Sequence, residues 1–190
     1  MSAPNDPKTL TELSRFLSFV LRHKPESIGL ELDDQGWADV DALVEKASAH
    51  GRTISEAVVK TIVATSPKQR FALSEDRRWI RASQGHSIAV ELGYEPKEPP
   101  ELLFHGTVAA SLEAIRASGL LRMGRHHVHL SPDSTTARTV GVRRGKPVIL
   151  TVAALRMHRA GHAFFLSANG VWLTDSVPAR YLTVLTETEA

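Results

Sequence analysis

Four groups of residues in this 190-residue chain are of the types that bind anions, move protons or hold metals. Arg22 and His23 adjoin where an apolar-periodic segment runs into Lys24-Pro25. Arg70 stands within Lys68-Gln69-Arg70-Phe71, and His105-Gly106-Thr107 closes an apolar run. HHVHLS, from His126 to Ser131, is followed by a glycine-bracketed basic stretch, Gly141-Val142-Arg143-Arg144-Gly145-Lys146-Pro147. A fixed cation beside a group that titrates near neutrality suits binding an anion and moving a proton. The competing reading of Arg22-His23 is a helix C-terminus whose basic residues complement its own dipole. The pair alone does not choose between them. Several guanidinium forks hold a phosphomonoester dianion better than one. Arg22, Arg70 and Arg143 lie in three separate segments, each beside a Pro, a Gly or a strand boundary, but their convergence is not visible in a sequence.

The histidines also admit a metal reading. His127 and His129 would share one face of a strand, and His105 could approach them. The surroundings are strongly basic, and Asp133 is the one carboxylate in view, so no metal site is expected. The glycine-rich segments contain neither GxxxxGK[ST] nor GxGxxG, which argues against a P-loop or Rossmann nucleotide site. No GxSxG is present for a hydrolase nucleophile. The chain has no Cys, so disulfides, thiolate zinc sites and cysteine nucleophiles are excluded.

The elements that must position these residues divide into two sets. Leu10, Leu13, Phe16, Leu17, Val20 and Leu21 repeat at helical spacing. Asp6-Pro7 starts that helix as N-cap and first residue, and Pro25 ends it near Lys24. Ile28, Leu30 and Leu32 alternate as in a short extended segment before the turn Asp33-Asp34-Gln35-Gly36. Asp41 is the expected cap of a helix reaching about residue 50, and Thr53 with Glu56 forms a capping box for another reaching about 64. Residues 70–74 and 79–82 flank Glu75-Asp76-Arg77-Arg78 as the arms of a hairpin. Three helices followed by a hairpin is a winged-helix arrangement.

Residues 91–101, ELGYEPKEPPE, hold three prolines and four acids and read as a linker. Beyond them the pattern is mixed α/β. Strands are expected at 102–105, 128–131, 148–152, 164–166 and 171–174. Helices are expected at 111–118, stopped by Gly119, and at 134–140. The expected class is α+β, with domains at 1–93 and 101–190 and the linker at 94–100.

Composition sets the outer bounds. The chain is 42% hydrophobic and 23% charged, ordinary for a globular protein able to build cores. No apolar run approaches membrane-spanning length, so no membrane partner is expected. MSAPNDPKTL has neither a basic nor an apolar leader region, and with no Cys a reducing, cytoplasmic location is expected. Net charge is only +2, but residues 116–159 hold nine Lys and Arg against one acid, Asp133. Such a field attracts a polyanion or a phosphorylated ligand; a solvated basic face is the alternative.

Taken in order, LSRFLSFVLRHKPESIGLELDDQGWADVDALV, KQRF, IRASQGHS, FHGT, HHVHLS, VGVRRGKPV and NGVWLTDSVPARYL resemble the NAD-dependent RNA 2′-phosphotransferase family over roughly residues 10–185. The resemblance implies a winged-helix N-lobe and an ADP-ribosyltransferase-like C-lobe with the active site between them. It implies removal of an internal 2′-phosphate from tRNA-like RNA, as at a splice junction. The phosphate attacks NAD, nicotinamide leaves, and a phospho-ADP-ribosylated RNA forms. Transesterification then gives 2′-hydroxyl RNA and ADP-ribose 1″,2″-cyclic phosphate. NAD is co-substrate, no metal is needed, and a monomer is expected. Carried over by position, Arg22, His23, Arg70 and Arg143 are catalytic. His105, Gly106, Thr107, His129, Leu130 and Ser131 bind NAD. Lys68 and Gln69, with Arg81, Gln84, Gly85, His86 and Ser87, are candidates for RNA contact. Arg144 departs from the pattern, where His is more usual. Two other classes remain open: an ADP-ribosyltransferase acting on terminal phosphates or proteins, and a non-catalytic winged-helix nucleic-acid binder.

Overall fold

A computed structural model describes residues 6–142 and 145–185. The chain separates into two compact units, Met1–Gly93 and Tyr94–Ala190, each with its own core. Both combine helices with small antiparallel sheets.

In the first unit the order is α1 (Pro7–Arg22), β1 (Ala38–Asp39), α2 (Val40–Ala49), α3 (Glu56–Thr65), β2 (Phe71–Leu73) and β3 (Trp79–Ala82). Asp6 caps α1, its carboxylate accepting from the Thr9 N–H at 3.2 Å, and Pro7 opens the helix. An N-cap carboxylate satisfies one of the donors that a helix start leaves over. At the far end the His23 N–H donates to the Phe19 carbonyl. α1 buries Leu17, Val20 and Leu21 completely against a core that includes Leu43, Val59, Ile62 and Ile80. The three-stranded sheet runs β1-β3-β2, with Ala38 opposite Ile80 and Phe71 opposite Ala82.

Three local expectations need correction. Asp39, not Asp41, caps α2, and Ser55, not Thr53, caps α3, because each helix begins two residues from the position its polar residues advertised. Ile28 closes a 3-10 turn, Pro25–Ile28, in place of starting an extended run. Gly29 at φ 64° turns the chain there, a conformation open to glycine at no steric cost.

The second unit follows as β4 (Leu103–Val108), α4 (Leu112–Ser118), β5 (Leu120–Leu121), β6 (Val128–Leu130), α5 (Ser134–Gly141), β7 (Pro147–Val152), α6 (Ala154–Arg159), β8 (Phe165–Leu166), β9 (Trp172–Thr174), β10 (Ser176–Val177) and β11 (Leu182–Val184). One sheet is ordered β11-β7-β4 and another β6-β9-β8, with β5 and β10 forming a third pair. The first two are stitched by a single bridge, Phe104 to Ser131. Leu103, Leu130, Val152, Met157 and Phe164 form the centre of this core. Residues 94–100 are tied to this unit: Pro96 bridges Phe165, and the Lys97 N–H donates to the Phe164 carbonyl at 2.7 Å.

Candidate active site

The first unit gathers Arg22, His23, Arg70 and Ser87. α1 delivers Arg22 and His23 at its C-terminus, half-buried. Arg22 Nη2 donates to the Arg70 carbonyl at 3.2 Å, across 48 residues of sequence. The Ser83 N–H donates to that same carbonyl at 2.9 Å, and the Ser83 hydroxyl donates to the Gln69 carbonyl at 2.9 Å. The Ser87 N–H donates to the Arg22 carbonyl, and the Ser87 hydroxyl lies 2.9 Å from His23 Nδ1. Residues 83–87 thus fasten the end of α1 to the start of β2. The guanidinium of Arg22 and the backbone of Arg70 become neighbours, and the imidazole of His23 is fixed in orientation. A cation and an oriented imidazole in one frame can hold an anion and transfer a proton at it. That arrangement goes beyond a helix end complementing its own dipole, because the partners come from β2 and the loop after β3.

The remaining candidates of this unit take different places. Gln69 is exposed, with φ 41°, a left-handed backbone that is costly for a residue with a Cβ and is held here by the Ser83 contact. Lys68 is exposed beside it, and Gln84 is half-buried. Arg81 stacks over Trp37, its guanidinium carbon 4.5 Å from the ring centroid. His86 is 1% exposed. A Cβ added to Gly36 would lie 3.5 Å from its Nε2, so the ring packs directly beneath the Asp33–Gly36 turn.

The second unit brings the HGT and HLS segments together. The Phe104 and Ser131 backbones exchange hydrogen bonds at 2.9 and 2.8 Å. His105 Nδ1 lies 3.0 Å from the His129 carbonyl. A carbonyl only accepts, so His105 carries its proton on Nδ1 at this contact. His129 Nδ1 lies 2.8 Å from Arg125 Nη1. A guanidinium only donates, so Nδ1 of His129 is the acceptor. At these contacts Nδ1 of His105 donates and Nδ1 of His129 accepts. Thr107 is buried and Ser131 half-buried nearby in the chain.

Gly106 has a packing role that its motif does not reveal. A Cβ there would fall 2.0 Å from the Ala137 carbonyl oxygen and 3.0 Å from the Gly141 nitrogen. α5 lies backbone to backbone on β4, with Gly141 on the helix side of the contact. Asp133 starts that helix, accepting from the Thr136 N–H at 2.7 Å and from its hydroxyl at 2.8 Å. These two bonds hold its carboxyl below the usual carboxylate range. Arg143 and Arg144 lie outside the described residues.

Two participants were not singled out in the sequence. Arg125 had appeared only as one of nine basic residues, and its exposed position offers no periodic or motif signal. Asp175 stands 4.0 Å from His127 Nε2, so Asp133 is not the one carboxylate near the histidine segment. Pairing of β6 with β9 brings it there. Among the described residues no group of three or more His, Asp or Glu is arranged to hold a metal ion. No described helix is long and apolar enough to cross a membrane.

The family model described as RNA 2′-phosphotransferase, Tpt1 / KptA family, matches residues 8–176. A protein of Agrobacterium fabrum is 57% identical over 180 residues, covering 95% of this chain and 97% of its own length. One from Burkholderia lata is 56% identical over 173 residues, 90% of this chain and 89% of its own. One from Streptomyces coelicolor is 57% identical over 171 residues, 90% and 93%. All three carry the name "Probable RNA 2′-phosphotransferase".

Proposed function

The chain belongs to the RNA 2′-phosphotransferase family, and from that footing we propose that it removes an internal 2′-phosphate from RNA with NAD as the acceptor. The products are nicotinamide, 2′-hydroxyl RNA and ADP-ribose 1″,2″-cyclic phosphate, reached through a phospho-ADP-ribosylated RNA. The observation that carries the reading is the joining of Arg22 to the Arg70 carbonyl and of Ser87 to both His23 and the Arg22 carbonyl.

The order of three helices and a hairpin supports a winged helix for the first unit. The bridged sheets bearing HGT and HLS support an ADP-ribosyltransferase-like second unit. The substrate supplies its own nucleophile, so no Ser, Cys or Asp nucleophile is required of the protein. NAD supplies the electrophilic ribose carbon and the leaving nicotinamide. The donor set near HGT and HLS fits a nucleotide's ribose hydroxyls: two imidazoles, Nδ1 of one donating and Nδ1 of the other accepting, with the hydroxyls of Thr107 and Ser131.

Arg22 and Arg70 bind the 2′-phosphate and orient it for attack, which lowers the barrier by positioning. Arg143 is assigned to the same phosphate on its place in the family pattern. In the second step charge collects on a five-coordinate phosphorus, where guanidinium donors stabilise it. A proton must also leave the attacking ribose hydroxyl and reach the departing RNA oxygen, and His23 is the group to move it. Lys68, Gln69, Arg81, Gln84 and Ser87 are proposed RNA contacts, with His86 supporting their loop from beneath.

The test is incubation of the purified chain with a 2′-phosphorylated oligonucleotide, with and without NAD. NAD-dependent appearance of 2′-hydroxyl RNA and the cyclic phosphate is expected. A stable ADP-ribosyl adduct on the RNA would assign the chain to ADP-ribosyl transfer instead. No NAD consumption with RNA present would leave a binding protein.

A further inference from the structure

We propose that Arg125 is a positioning residue that locks His129 as a neutral imidazole with its proton on Nε2. Arg125 Nη1 lies 2.8 Å from His129 Nδ1. Guanidinium has five N–H donors, no acceptor, and keeps its charge at any pH a protein survives. A hydrogen bond at this distance therefore requires a lone pair on Nδ1, and the neutral ring's one proton must sit on Nε2. Protonating the ring would place an N–H against an N–H and a second positive charge beside the first. The contact and the charged imidazole exclude each other, so Arg125 disfavours the charged form of His129.

The other titratable groups of this segment have contacts of their own. His127 stands two residues before it along the segment. His105 comes from β4 and contacts the His129 carbonyl, not its ring. Asp175, just beyond β9, is engaged by His127. The strand partner directly opposite His129 is Leu173, which is apolar. A turn with Arg125 N–H on the Arg122 carbonyl holds the approach to β6. His105 donates from Nδ1 to the His129 carbonyl, so the two motif histidines are kept different by separate devices. His129 then offers a ligand an N–H donor without a charge, and does so below the pH at which a free imidazole would ionise. The consequence for NAD rests on the function proposed above; the tautomer itself does not.

The full-length chain, labelled with ¹⁵N, reports ring protonation by two-bond nitrogen–proton spectra, with His129→Gln to assign the signals. Arg125→Met removes the donor and keeps the length; Arg125 is exposed, and matching backbone spectra at pH 8 check that the fold is kept. The parent is expected to show His129 as the Nε2–H form. Its titration midpoint should lie about one pH unit or more below that of Arg125→Met. Arg125→Lys, which keeps a donor, should fall between them. An Nδ1–H ring in the parent, or equal midpoints in parent and Arg125→Met, overturns the proposal. Calorimetry with NAD supplies the second arm. The loss of affinity between pH 8 and pH 5.5 should be greater in Arg125→Met, by up to about tenfold, the factor a one-unit shift allows. Parallel losses overturn the functional half. Expected tautomers with no NAD binding by any variant would uphold Arg125's role and sink the NAD reading instead.

Discussion

His23 is where the two chemical steps should come apart. Its ring is held by Ser87, and the proton transfer proposed for it belongs to transesterification. His23→Ala is expected to accumulate phospho-ADP-ribosylated RNA, read as a slower band on a denaturing gel. Turnover at the parent rate would return Arg22-His23 to a basic helix end. The role proposed for Arg22 uses its fork, one arm of which is already on the Arg70 carbonyl. Arg22→Lys should therefore lose about 10²–10³ in rate, as removal of a transition-state donor does, because an ammonium cannot span two acceptors in one plane. Single-turnover rates at saturating NAD measure it; a loss under threefold would refute the bidentate role. That Arg22 and His23 stand at a helix end could be read in advance from Lys24-Pro25, though not which role they take there. Their partners could not. Ser87 and the Arg70 carbonyl reach α1 only through tertiary folding, and a backbone carbonyl carries no side-chain signature. Arg125 escaped for a related reason, being one basic residue among many until β6 sets His129 beside it.

α5 packs on β4, the strand that carries His105-Gly106-Thr107, and shows how far elements could be foreseen. A helix was expected at 134–140 and runs from Ser134 to Gly141, with Asp133 as its cap. The starts of α2 and α3 were not legible, because Asp39 and Asp41, or Thr53 and Ser55, are equally plausible caps and tertiary packing decides which is used. Two-residue strands such as Leu120–Leu121 and Ser176–Val177 give no periodic signal; only their pairing defines them. α6 begins at Ala154 without a side-chain cap, so nothing in the sequence marks it. Capping also makes α5 pH-sensitive. Asp133 has its carboxyl lowered chiefly by the Thr136 N–H and then by the Thr136 hydroxyl. A lowered folded value means the stabilisation is complete above the ordinary carboxylate value, near 3.8, and is lost as pH falls through the lowered one. Amide exchange in α5 should thus accelerate in acid below that point. Asp133→Asn should remove the pH dependence while keeping the cap, and Asp133→Ala should cost about 1 kcal/mol at neutral pH.

At the scale of the molecule, the two units differ in character as well as in core. Met1–Gly93 carries twelve Lys and Arg against thirteen Asp and Glu, whereas Tyr94–Ala190 carries eleven against eight. The acid-poor stretch 116–159 falls wholly in the second. Separate cores predict separate responses to core damage. Leu17 is fully buried in the first, and Leu17→Ala should cost about 2–5 kcal/mol there. Hydrogen exchange should then show lost protection in α1, α2 and β3 while the amides of β4 and β7 stay near parent values. Equal loss in both units would contradict it. The Pro- and Glu-rich stretch at 91–101 stands where the chain passes from Met1–Gly93 to Tyr94–Ala190. The attachment of Pro96 and Lys97 to β8 and its approach was not legible, since nothing in that composition points to a partner.

Gly106 against Ala137 and Gly141 leaves no side chain to act as a cushion between β4 and α5. Helix and strand must therefore travel as a single rigid lever. The sequence runs from the end of that lever straight into Val142 and Arg143, while its other arm is the HGT strand. On the proposed assignment of NAD to the HGT strand and of the phosphate to Arg143, a ligand that shifts the strand is expected to shift the point from which the arginine segment departs, so that occupancy on one side changes affinity on the other. Linkage makes this reciprocal. NAD should bind more tightly in the presence of a 2′-phosphorylated oligonucleotide, and the oligonucleotide should gain by the same factor from NAD. Calorimetric titrations in both orders, with a hydrolysis-resistant NAD analogue, would measure the two factors; a factor of one would show the lever to be slack.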